Sequence, residues 1–88
     1  MFDRDFFRVE FREKARTFSA EHNAQPIRVV FFSVFGREFD LMSYTASDIG
    51  LTLYTLSEEM VFLRFEHLAT ITVSIAVERG APGFHIPE

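Results

Sequence analysis

Phe7, Phe11, Ala15 and Phe18 recur at intervals of four, four and three, a spacing that gathers one apolar stripe on a helix. Asp3 stands where an N-cap belongs, and the pattern predicts a helix over 4–18. A polar connection follows, and from Pro26 onward the period changes to two. The run 27–34 offers β-branched and aromatic side chains to both faces, as a strand between two layers would. Phe35-Gly36 turns the chain, and in 37–44 Phe39 and Leu41 alternate with Glu38 and Asp40. Residues 45–50 connect to a third strand over 51–56, and Ser57-Glu58-Glu59 reads as a turn. A fourth strand over 60–66 opens on the apolar quartet Met60-Val61-Phe62-Leu63. The fifth, 69–77, alternates cleanly: Ala69, Ile71, Val73, Ile75 and Val77 share one face, and Thr70, Thr72, Ser74 and Ala76 the other. Beyond it, two Pro and two Gly in ten residues predict an extended tail over 78–88 in which Phe84 and Ile86 are the docking residues. The pattern therefore predicts one mainly β domain over 1–77, an N-terminal helix followed by five antiparallel strands over about 26–77.

The last two strands lack Lys and Pro, the residues that blunt a free sheet edge, so they call for pairing. Composition points the same way. A domain of 88 residues buries only about 60–65% of its unfolded surface, yet 48% of this chain is hydrophobic and 12 residues are Phe. A second copy is the simplest cover for the excess. The expected interface is Met60, Val61, Phe62 and Leu63 on the fourth strand with Thr70, Thr72 and Ser74 on the fifth.

Charge and residue inventory narrow the function. The net charge is −4; residues 1–25 carry five basic and five acidic groups, the remainder four and eight. An acidic sheet gives little counterion release, so nucleic acid would have to be held by local Arg clusters, aromatic stacking or backbone donors. There is no Cys, which removes disulfides, thiol catalysis and Cys-based zinc sites, and the first residues lack the layout of a signal peptide. A cytoplasmic setting is the expectation, without membrane, small-molecule substrate or cofactor. His22, His67 and His85 lack metal-ligand spacing and no Ser sits in an activating constellation, so no catalytic residue is assigned and no enzyme is expected.

Three stretches in order carry a family resemblance: Phe35-Gly36 with Phe39 and Leu41, then Asp48-Ile49-Gly50-Leu51-Thr52-Leu53, then LRFEHLATITV over 63–73. Over about 5–77 the chain resembles the Sm and Sm-like (LSm, Hfq) family. The first two stretches are similar to the Sm1 motif and the third to the Sm2 hairpin. Phe65-Glu66-His67 resembles the aromatic, basic, His triplet of bacterial Hfq, with Glu66 in place of the base. The resemblance implies a strongly bent, five-stranded SH3-like barrel whose fourth strand pairs with the fifth strand of the next subunit. Closed by rotation, that contact gives a homo-oligomeric ring of about five to seven subunits.

The same resemblance implies a function, binding of single-stranded RNA near the pore as an RNA chaperone or RNA-metabolism factor. The candidate residues are Ser47, Asp48 and Ile49 in the loop before the third strand, and Arg64 and His67 at the turn between the last two. Each has a plain structural alternative: His67 serving the turn, Asp48 fixing its loop by accepting backbone hydrogen bonds. Tyr44 is a base-stacking candidate or a packed strand residue. Arg4, Arg8, Arg12 and Arg16 recur every four residues, so Arg8 and Arg12 sit at the centre of a basic track or of a salt-bridged solvent face. The competing readings are an Sm-fold ring acting as a structural or protein-interaction module without RNA, and a monomeric SH3-like adaptor.

Overall fold

The computed structural model describes residues 2–76, 83 and 84. Asp3 begins the helix as its spacing predicts, its carboxylate accepting the Phe6 N–H at 2.8 Å. The first turns are wide. A π-helical stretch, Phe6–Glu10, runs without a break into helix α1, Phe11–Glu21, and the Phe11 N–H reaches back to the Phe6 carbonyl. That extra residue per turn lets Phe6 and Phe7 both face the sheet along with Phe11.

The helix continues three residues past its predicted end because its stop signal is a backbone one. Asn23 and Ala24 adopt left-handed φ values of 61° and 56°, and the Ala24 N–H closes on the Ser19 carbonyl at 2.7 Å. This is a Schellman-type termination, with Asn in the position that tolerates the left-handed conformation.

Five antiparallel strands follow: β1 (Ile27–Ser33), β2 (Glu38–Ala46), β3 (Gly50–Thr55), β4 (Met60–Arg64) and β5 (Leu68–Ile75). They form one sheet in the order β4-β3-β2-β1-β5. All five predicted strands are present, with ends moved by one or two residues; Val77, the predicted end of the fifth, lies outside the described residues. The long arm is β1 with β5, in register from Ile27↔Ile75 to Phe32↔Thr70. Irregularities at Phe32/Ser33 and between Leu41 and Ser43 break the ladders there, as β-bulges do. The sheet is not closed: among the described residues, β4 pairs only with β3 and β5 only with β1, so both present a free edge.

Its core lies between the helix and one sheet face. Phe7, Val29, Phe31, Leu41 and Leu53 are all but fully buried, and Phe11 and Ala15 continue the helical stripe. β1, the strand expected to be apolar on both faces, buries Val29, Val30 and Phe31 in succession. At the far end of β3, Gly50 lies against the backbone of β4, where an added Cβ would stand 2.9 Å from Arg64 Cα. No other residue allows that approach.

Candidate functional site

The end of the sheet where β2 turns into β3 is drawn against the end of β4. The turn is built by Ser47, whose hydroxyl accepts the Ile49 and Gly50 N–H groups at 3.4 and 3.3 Å while its own N–H donates to the Gly50 carbonyl at 2.9 Å. The short 3₁₀ turn Phe65–His67 links β4 to β5, and the Phe65 N–H donates to the Ile49 carbonyl at 3.2 Å. Two loops distant in sequence are thereby tied together.

Between them opens a cavity of about 590 Å³. Asp48 and Ile49 line it from one loop, Arg64, Phe65 and Glu66 from the other, and Leu68, Phe2 and Asp3 complete the wall. A smaller cavity of about 140 Å³ lies beside it along β3 and β4, sharing Ile49 and Arg64 and reaching Ser47 and Phe62. The walls are mainly apolar and aromatic. Phe65 lies parallel to Phe7 at a ring distance of 5.8 Å, which fixes its plane from behind.

Charge at the rim is self-compensated. Arg64 Nε donates to Glu66 Oε1 at 2.6 Å, and Arg4 pairs with Asp48. The Arg64 hydrogen bond holds the Glu66 carboxyl below the usual carboxylate range. With Asp3 also on the wall, carboxylates outnumber the guanidinium groups facing the cavity. Such a rim suits the N–H edges of a base better than a phosphate.

Of the RNA candidates read from the sequence, Asp48, Ile49 and Arg64 meet in the larger cavity, and Ser47 borders the smaller. Four others are placed elsewhere. Tyr44 is buried at 3% exposure, its hydroxyl donating to the Phe7 carbonyl at 2.6 Å, so it has no free ring face to stack on a base. His67 turns toward the β1–β2 hairpin: its ring lies 5.1 Å from that of Phe35, and its carbonyl accepts the Val34 N–H. Arg12 folds back to donate to the Arg8 carbonyl at 3.1 Å, and neither Arg8 nor Arg12 lines the cavity. With Arg4 engaged by Asp48, the four arginines make no continuous free track.

Asp48 is corrected in role as well. Its carboxylate meets Arg4, while the backbone hydrogen bonds expected of it are taken by Ser47. Phe2, Asp3, Phe65, Glu66 and Leu68 are the wall residues not singled out from the sequence as binding residues. The signal for Phe2 is the aromatic series Phe2, Phe6, Phe7, Phe11, which continues the helical stripe to the chain's first turn.

On the edge strands, Phe62 and Met60 are exposed at 74% and 58%. Val61 is half-buried against the core, and Leu63 lies within it. The side chain of Leu63 is thus committed to its own chain, while its backbone stays on the β4 edge with that of its neighbours. Thr70 and Thr72 are exposed on β5 and Ser74 is half-buried.

Tyr44 ties the helix to the sheet and carries a pH dependence. Burial pushes its phenol well above the ordinary value near 10, the Arg12 charge opposing this weakly. The folded chain keeps the proton where the unfolded chain releases it, so stability is full below about pH 10 and falls as pH rises beyond. Urea unfolding midpoints of the wild type are expected to drop as pH rises above about 10 more steeply than those of Tyr44→Phe. That variant starts lower by about 1–2 kcal/mol, because the Phe7 carbonyl loses its donor.

The chain matches no protein-family model, no curated protein and no solved structure. The class defined by its geometry is a mainly β domain, one N-terminal helix on a five-stranded antiparallel sheet. Among the described residues, no helix is long and apolar enough to cross a membrane.

Proposed function

We propose that this chain is a ring-forming Sm-like protein that binds single-stranded RNA, acting as an RNA chaperone or RNA-metabolism factor. The observation that carries the reading is the convergence of the β2–β3 loop and the β4–β5 turn, the two segments expected to hold bases, on one cavity. Bases enter edge-on against Asp3, Asp48 and Glu66 and rest on the apolar wall of Ile49 and Phe65. Arg64 is the phosphate contact. Assembly closes the bent sheet into a barrel-like subunit whose β4 edge adds to the β5 edge of the next. In its support, the two free edges stand at opposite ends of the strand order, as a head-to-tail contact requires.

A second reading, the same ring as a structural or protein-interaction module without RNA, is favoured by the Arg64–Glu66 and Arg4–Asp48 pairs, which leave little uncompensated positive charge at the cavity. Titration with short U-rich and A-rich RNA at low and moderate salt separates the two. Binding is expected at low salt, and Arg64→Gln is expected to weaken it across sequences and reduce the salt slope by about 1. Absence of binding at low salt leaves the scaffold.

A further inference from the structure

The C-terminal segment carries one residue pair with a built seat. Phe84 is only 8% exposed, edge-on to Phe11 of α1 at 6.1 Å and near-parallel to Tyr44 of β2 at 5.9 Å. Its N–H donates to the Ile27 carbonyl at 2.8 Å. Gly83 passes so close to β1 that an added Cβ would stand 3.0 Å from the Ile27 oxygen and 3.3 Å from Pro26 Cβ. Backbone pairing, a glycine favoured by close approach and an aromatic pocket are the features by which a peptide is recognised.

This seat straddles two layers. Phe11 belongs to the helix, Tyr44 and Ile27 to the sheet, and the Tyr44 hydroxyl holds the Phe7 carbonyl. A ring wedged there fastens helix to sheet at the seam. Gly83 and Phe84 themselves are not part of the ladder, so the pair can leave without breaking a strand pair.

We propose that Gly83–Phe84 is a latch: seated, it clamps the N-terminal helix on the sheet, and released, it frees the helix and opens a site for an extended Gly-Phe peptide. The latch stands independently of ring closure and of RNA. Bound in cis, the tethered segment has a high effective concentration and excludes a competing peptide from the wild-type chain.

Hydrogen exchange on the full chain tests it. In Phe84→Ala, and more mildly in Phe84→Leu, which still fills the pocket, amides of α1 are expected to exchange about tenfold faster or more, while those of β2 and β3 keep their protection. A synthetic peptide of residues 79–88 is expected to restore helix protection in Phe84→Ala, to do nothing to the wild type, and to fail when it carries Gly83→Ala. Unchanged helix exchange in both variants overturns the latch. So does a rise shared equally by helix and sheet in both, which would make Phe84 an ordinary core residue. Failure of the unmodified peptide to restore protection overturns the exchangeable seat.

Discussion

Phe62→Lys is expected to dissociate the proposed ring into folded monomers, read as a fall in native mass to that of one chain with the far-ultraviolet circular dichroism unchanged. Position 62 separates assembly from folding because its side chain is 74% exposed. A charge there costs the isolated subunit little, of the order of 0.5 kcal/mol or less for a surface position. Across a strand-to-strand contact the same ammonium group must be desolvated, which is why lysine on a sheet edge blocks edge-to-edge pairing. Val61 is the poorer probe. It packs half-buried against the core, so a lysine there would disturb the fold and the contact together. An unchanged multimer mass in Phe62→Lys would remove strand addition through β4 as the mode of assembly.

Phe7→Ala carries the largest expected effect on stability, a loss of about 3–5 kcal/mol. Phe7 is fully buried and is the hub of the aromatic core, with the rings of Phe11, Phe31, Tyr44 and Phe65 all within 6.0 Å of its own. No single neighbour can swing into so large a vacancy while its own contacts hold it, so the cavity stays. The hydrogen bond from Tyr44 survives, because its acceptor is the Phe7 backbone carbonyl. The loss therefore reports the ring alone. For a domain of this size, each kcal/mol lowers the thermal midpoint by roughly 4–8 °C. Phe35→Ala is the matched control: Phe35 is 75% exposed and its removal should leave the midpoint nearly unchanged.

The sequence carried the alternation of the strands, the helical stripe and the Asp3 cap in short-range spacing, and these features were legible. Alternation tells a strand which face is buried, and that is how Val73 and Thr72 part company. It does not encode how far a sheet bends, so closure into a barrel was not readable and the sheet stands open. The helix end was missed because its signal is a left-handed pair at Asn23 and Ala24, where Asn is suggestive and Ala is not. In the site, Asp48 and Arg64 line the larger cavity and Tyr44 and His67 lie elsewhere. Sequence alone does not separate them, because an aromatic or imidazole at a strand end looks the same whether it faces a ligand or a neighbour. Only the packing of Phe7, Phe84 and Phe35 around them decides. The exchange of roles between Ser47 and Asp48 has a similar origin. Either side chain can hold a tight turn, and the choice falls to Ser47 once Arg4 claims the carboxylate.

The π-helical stretch also sets the phase of the chain's first residues. Rewinding Phe6–Glu10 as ordinary α-helix with no residue removed would turn everything before it by about 100° relative to Phe11 and Ala15. Phe2 and Asp3 would then swing off the cavity wall, and Arg4 would lose its reach to Asp48. The wide turn thus works as an angular spacer: how tightly these five residues wind, remote from both loops, determines whether the cavity has a third side.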